Sequence, residues 1–326
     1  MNEIFNRQPE EIVGGDYFFR VPWYEEIHAT LYDKLNHDAQ RELNSSWENR
    51  AAILGLDMSF FADAINKIAT DDKPFMDIAS SDSMGFAPFI IKSNPDKPCL
   101  ITDINTEIMK SLRSYINTHD EISKCNITIA SFDNLDMPIK DNSLDYITSI
   151  GGIASSFEMS DENRKLRLFQ QSVGTEKAIS EVFRVLKPGG YFVTLEMNME
   201  CDYDLQKLCH DSYEIDKLFG VYSYGEVQAV LELLREEPWH DKFVAAGFEI
   251  EVEKISYERC SLTKIMWFLH LMTRYHEIRH WEKANWYDEI KAKTIAWNLA
   301  DYENDEGEYG IDLYDTNTLF ILRKPN

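Results

Sequence analysis

The chain has 326 residues, 44% of them hydrophobic, with 33 Lys and Arg against 57 Asp and Glu and a formal net charge of −24. That length suits one large domain or two small ones, and the apolar fraction is ample for a core. The acidic excess opposes polyanion binding through long-range repulsion, and the best candidate for a membrane span, residues 265–272, falls far short of the roughly 20 residues required; neither nucleic acid nor a membrane is an expected partner.

The first sixteen residues carry acids and no apolar stretch of a secretory signal. Five widely spaced cysteines (Cys99, Cys125, Cys201, Cys209, Cys260) form no CxxC pair, so reduced structural thiols in a cytoplasmic protein are expected. After an irregular arm, Trp23, Ile27, Leu31 and Leu35 recur at four-residue spacing, which predicts a helix. A second helical stretch runs over about residues 53–68, until Lys73-Pro74 stops it.

From there strands and helices alternate. Short apolar runs at 75–79, 99–103, 126–130, 144–150 and 191–196 read as strands, with helices over 104–116 and 177–186. Such alternation predicts an α/β, doubly wound, mostly parallel sheet covered on both faces. Residues 202–239 read as mostly helical. A helix then ends at Gly247, where a C-cap glycine belongs, and Phe248 to Val252 alternate as a strand. A long helical insert over about 262–299, an acidic loop over 301–308 and a last strand over 318–322 complete the chain.

Open α/β sheets bind ligands beyond the carboxyl ends of their strands, so the residues at those ends are the candidates for chemistry. Asp77-Ile-Ala-Ser-Ser-Asp-Ser-Met-Gly85 follows the first strand, with small residues that let a ligand approach the backbone. Asp103 and Ile104 end the second; an acid there commonly accepts from ribose hydroxyls. Asp133 and Asn134 follow the third and offer acceptors for an exocyclic amine. Ser149, Gly151 and Gly152 close the fourth. Each acid also has a plainer use. Asp77 would satisfy loop amides, and Asp103 and Asp133 would cap a helix or brace a turn.

Two longer segments carry a family resemblance. Ala130-Ser-Phe-Asp133-Asn134-Leu-Asp-Met-Pro138, continuing to Asp145-Tyr-Ile, and Glu181-Val-Phe-Arg184-Val-Leu-Lys-Pro-Gly-Gly190-Tyr-Phe-Val resemble the class I S-adenosylmethionine-dependent methyltransferases, a seven-stranded Rossmann-like family. The likeness covers about residues 70–200, with weaker support at 245–252 and 318–322. It implies S-adenosylmethionine as cofactor, S-adenosylhomocysteine as product, and methyl transfer to an O, N or C atom of a small-molecule acceptor. By position it implies Asp77, with backbone around Ala79 and Ser81, at the methionine end and Asp103 at the ribose. It puts Asp133 and Asn134 beside the adenine, and Ser149 and Gly151 at the sulfonium side. The family's first loop is glycine-rich. Here Ala79, Ser81 and Ser83 stand at those places, with Gly85 replacing one glycine in a longer loop, and alanine and serine tolerate positive φ poorly.

A hydroxyl or ammonium acceptor also needs a general base, for which Glu196, His210, Tyr222 and Tyr224 are the candidates. His276-Glu277-Ile-Arg-His280 matches the HExxH zinc pattern, but Arg279 sets a cation beside the proposed ligands and no clear third ligand follows; no metal is expected. Trp267, Trp281, Trp286 and Trp297 make the insert aromatic, suited to a substrate lid or a subunit interface of a homo-oligomer, or to plain helix packing. The expected organisation is an amino-terminal helical cap over 1–70 and a Rossmann-like domain over 71–326, with helical additions at about 201–240 and 260–300. The alternatives are a catalytically inactive binding or regulatory protein on the same fold, a zinc hydrolase, and a nicotinamide oxidoreductase, which lacks its GxGxxG loop here.

Overall fold

The computed structural model describes residues 2–22, 24, 58–80, 84–120, 122–153, 171–198, 239–261, 302–303 and 309–326. The helical readings at 23–35, 53–57, 202–238 and 262–299 lie outside the described residues, as do Ser81, His210, Tyr222, Tyr224, His276, Glu277 and His280.

In chain order come strands β1 (Glu11–Val13) and β2 (Asp16–Phe18), then helix α1 (Ala62–Ala69), entered through a 3-10 turn at Met58–Phe61. There follow β3 (Phe75–Ile78), α2 (Ala87–Ser93), β4 (Cys99–Asp103), α3 (Thr106–Thr118), β5 (Ile127–Ser131) and β6 (Leu144–Ile150). The last part holds α4 (Gln171–Val185), β7 (Leu186–Asn198), α5 (Trp239–Ala245), β8 (Glu249–Ser261), β9 (Tyr302–Glu303) and β10 (Tyr309–Arg323).

These strands form one sheet in the order β1-β2-β5-β4-β3-β6-β7-β10-β8, with β9 pairing to β10. Strands β5, β4, β3, β6 and β7 run parallel, and β10 is antiparallel between β7 and β8. The seven expected strands therefore run from β5 to the β8 edge of a ten-stranded sheet. The additions are β9 and the hairpin β1–β2, which joins parallel to β5. The arm expected to be irregular forms this hairpin because Gly14 and Gly15 take φ of +60° and +96°, the two positive values of a primed two-residue turn. The acidic loop likewise begins in strand: Tyr302 and Glu303 pair with Gly310 and Tyr309.

Sequence patterning explains the layers. Phe75, Met76, Asp77 and Ile78 are all buried, as a central parallel strand with both faces covered requires. On one face Phe75, Ile101, Ile129 and Val193 pack with α1, α2 and α3 residues such as Ile68, Ile90 and Leu112. On the other, Met76, Leu100, Ile147 and Phe192 pack with Ile179 and Val182 of α4 and Phe243 of α5. The end of α5 follows its sequence signal. Gly247 takes φ +97°, its N–H donates to Val244 O, Phe248 N–H donates to Phe243 O, and the rings of Phe243 and Phe248 meet edge-on.

Candidate functional site

The chain moves from β3 to β4 on one side and returns to β6 on the other, so the strand order reverses at β3 and β6, where open α/β sheets form their ligand crevice. The strand tips there are contiguous. Ser80 N–H donates to Thr102 O, Phe132 N–H to Asp103 O, and Gly151 N–H to Leu195 O. Ile78 pairs with Ser149, and Asp103 with Ser131. Asp77, Asp103 and Asp133 thus stand on three successive strand ends along one edge of the sheet.

Asp77 is fully buried, with its carboxylate turned into its own loop. It accepts from Ser80 Oγ, from Thr148 Oγ1 and, at 2.8 Å, from Phe86 N–H. A Cβ on Gly85 would lie 2.0 Å from Asp77 Oδ1, so only glycine lets the loop close over the carboxylate. This is the plainer use foreseen for an acid here. Ser80 and Thr148, its hydroxyl partners, and Phe86, its amide partner, went unnoticed in the sequence. Their signal was hydroxyls placed just after β3 and just before the end of β6.

Ala79 and Met84 take φ of +51° and +62°. The chain adopts the left-handed conformation that the family's glycines favour, and does so with side chains that make it cost roughly 1–2 kcal/mol per residue. Such strain concentrates where a ligand approaches backbone. Across the reversal point, a Cβ on Gly152 would come within 2.8 Å of Ala79 Cβ and 2.4 Å of Ser149 Oγ, so the β3 and β6 loops abut through a missing side chain. Gly152 was read as a small residue but not as this contact. Its neighbour Gly151 takes φ +61°, and a Cβ there would meet nothing within 4 Å among the described residues.

Asp103 is half-buried at the tip of β4, where its Oδ1 accepts from Asn105 N–H at 3.0 Å. Asn105 was also missed. Its side chain caps α3 by accepting from the N–H groups of Glu107 and Ile108. The cap fixes the turn that presents Asp103 and Ile104. Asp133 Oδ1 accepts from Leu135 N–H at 2.9 Å, an Asx-turn that starts the loop after β5. Asn134, next along, has a buried Oδ1 with no hydrogen-bond partner. An enclosed carboxamide oxygen left unmatched costs free energy. Ser149 is fully buried, and its Oγ accepts from Gly152 N–H at 3.1 Å.

Glu196 lies at the carboxyl end of β7, fully buried, accepting from Thr194 Oγ1 at 2.6 Å and paired in register with Thr318 of β10. Thr194 in turn pairs with Ser149, so Glu196 belongs to the same edge of the sheet as the crevice. Of the four candidate bases it is the one among the described residues. The described thiols lie away from this chemistry. Burial, and then the nearby Asp77 charge, push the Cys99 thiol well above its usual range. No group of three or more His, Cys, Asp or Glu suited to a metal occurs among the described residues, and no described helix is long and apolar enough to cross a membrane.

These residues suit an adenosyl cofactor. An acid stands at the tip of β4 where ribose hydroxyls would donate, a carboxamide oxygen without a partner follows β5, and left-handed backbone follows β3 and β6.

Comparison with known proteins agrees. A family described as "Methyltransferase domain" matches residues 83–194. The ubiquinone/menaquinone biosynthesis C-methyltransferase UbiE of Rickettsia felis is 28% identical over 165 residues, 49% of this chain and 59% of that protein. The demethylmenaquinone methyltransferase of Bacteroides fragilis is 27% identical over 214 residues, 64% of this chain and 69% of that protein. The crystal structure of MccD protein superposes with a TM-score of 0.51 at 18% identity, covering 83% of this chain and 97% of the other, a likeness of fold. With the strand-end geometry and these matches together, residues 83–194 are similar to a methyltransferase domain set in a Rossmann-like α/β fold.

Proposed function

We propose that the protein transfers the methyl group of S-adenosylmethionine to a nucleophilic atom of a small molecule. The observation that carries this reading is the row of strand tips along one edge, with Asp103, Asp133–Asn134, Ala79 and Gly151 side by side. When bound, the cofactor supplies an already electrophilic methyl group, so the chain's own work is holding and aligning.

In this reading Asp103 accepts from the ribose hydroxyls, its carboxylate oriented by the Asn105 N–H. Asn134 Oδ1 accepts from the exocyclic amine of adenine, with Asp133 setting the turn beneath it. The left-handed backbone at Ala79 and Gly151 lets the methionine and sulfonium portions lie against the loops. Ser81 and Ile104 complete the cofactor set by position. Asp77 acts through its loop, which its carboxylate holds closed over Gly85. Glu196 is the base, accepting a proton from the acceptor with Thr194 Oγ1 donating to its other oxygen; His210, Tyr222 and Tyr224 remain candidates for the acceptor side.

The names of the curated relatives favour a carbon nucleophile on a quinone-class ring. A ring carbon must lose its proton after methylation, which gives a buried carboxylate at Glu196 a defined task. Calorimetric titration with S-adenosylhomocysteine tests cofactor binding, and no heat at millimolar ligand would defeat the proposal. Transfer of an isotopically labelled methyl group to a panel of reduced demethylated quinones, phenols and amines then identifies the acceptor. Labelling of amines alone would remove the quinone reading and keep the general one.

A further inference from the structure

The loop after β5 is held by two sets of groups that the reaction itself does not require. One is the Glu181–Arg184 pair of α4. Glu181 Oε2 accepts from Met137 N–H at 2.8 Å, and Arg184 Nη2 donates to Met137 O at 3.0 Å, so the pair binds both backbone groups of one residue as a neighbouring strand would. Arg184 Nη1 also donates to Ile139 O at 2.7 Å and to Asp141. Its Nε and Nη2 each lie 2.7 Å from the Glu181 carboxylate, which keeps the fork oriented.

The other is the amino-terminal segment. Asn6 N–H donates to Pro138 O, Asn6 Nδ2 to Ile139 O, and Lys140 N–H to Ile4 O. Arg7 Nη1 lies 2.6 Å from Asp136 Oδ2, joining residues 129 positions apart in sequence. Between the two clamps Met137 and Ile139 are buried in the core. The loop they anchor starts at Asp133 and Asn134, the latter with its unmatched Oδ1.

We propose that the Glu181–Arg184 pair and the strap of residues 3–7 are positioning elements for base recognition, fixing Asn134 so that the site prefers adenine over bases lacking the exocyclic amine. The inference rests on the reading of Asn134 given above. A single short turn braced only at Asp133 would let the carboxamide swing, and a swinging acceptor discriminates poorly because a wrong base can avoid it. Arg184 suits the task where lysine would not, because one planar fork serves two carbonyls and two carboxylates at fixed angles.

The test compares calorimetric affinities of wild-type, Arg184→Lys and Arg7→Ala proteins for S-adenosylhomocysteine and for its inosine analogue, in which a carbonyl replaces the amine. The wild type prefers the adenine form by about tenfold or more, as expected when a buried acceptor loses its donor. Arg184→Lys cuts that preference roughly three- to tenfold, and Arg7→Ala by a smaller factor through its exposed ion pair. Hydrogen exchange of the ligand-free proteins reads the clamps directly: the Met137 amide exchanges faster in Arg184→Lys, and the loop amides of Ile139 and Lys140 faster in Arg7→Ala. Should the Arg184 variant fold poorly, Arg7→Ala decides the matter alone. An unchanged preference in folded variants, or equal losses for both ligands, overturns this inference and leaves methyl transfer standing. A wild type that binds neither ligand overturns both.

Discussion

The two ends of the parallel strands are built in opposite ways. At the amino end the described charges around Lys97 are closely paired. Lys97, fully buried, donates to Asp71 Oδ1 and to Asp71 O at 2.8 Å, and its ammonium lies 4.8 Å from the centre of the Tyr146 ring. Tyr146 donates to Asp71 Oδ2 at 2.7 Å, while Lys187 pairs with Asp145 at 2.6 Å. At the carboxyl end the chain instead leaves an unmatched Asn134 oxygen and takes left-handed backbone at Ala79, Met84 and Gly151. One end is closely paired and the other carries strained backbone, a division expected when function is grafted on a stable frame.

Four experiments break or sharpen that contrast. The largest effect belongs to the closely paired end. Lys97→Ala removes a buried cation and leaves a cavity beside Asp71, and it lowers unfolding free energy by about 2–4 kcal/mol in urea titration. Cofactor affinity of the folded fraction stays within about twofold. A loss near zero would mean the amino-end network is ornamental.

Asp103→Ala should do the reverse. Losing hydrogen bonds to a charged acceptor weakens S-adenosylhomocysteine about 10- to 100-fold by calorimetry, with stability moving by less than about 0.5 kcal/mol. Equal affinity in this variant would remove Asp103 from the ribose. Smaller again is Ala79→Gly. Relief of the left-handed conformation exceeds the added chain entropy, so the melting free energy rises by about 0.5–1 kcal/mol while binding is kept. A destabilised variant would show that the conformation at Ala79 carries no strain.

The gentlest test is acid. Burial draws the Asp71 carboxyl upward, but hydrogen bonds from Lys97, Tyr146 and the Lys73 amide outweigh it and hold it below its usual 3.8. A carboxylate depressed on folding contributes stability that is present above its unfolded value and lost as pH falls through its folded value. Wild-type protein therefore loses stability below about pH 4, and Asp71→Asn, already weaker at neutral pH, shows a shallower fall. Parallel pH profiles for the two proteins would contradict the role given to Asp71.

The legible parts of the molecule were the local ones. Continuous apolar runs such as Phe75 to Ile78 and Leu144 to Ile150 specify buried parallel strands because both their faces need covering, whatever the neighbours. Gly247 predicted its own helix end for a similarly local reason, since a glycine relieves the left-handed residue there. The strand-end acids were legible as a row, because sheet topology puts successive carboxyl ends together. What each acid does was not. Asp77 looked like a ligand group and is enclosed by Ser80, Thr148 and Phe86, partners drawn from two strands and a helix entry.

Composition, periodicity and the order of strand-end residues thus determined the fold class, since it follows from patterns of residues near in sequence. Tertiary structure alone decided that Gly14-Gly15 turns the arm into two further strands. It alone decided that Gly152 locks against Ala79, and that Arg7 and Arg184 both grip the loop after β5. Those features depend on groups far apart in the chain meeting at hydrogen-bond distance, and no local pattern encodes such a meeting.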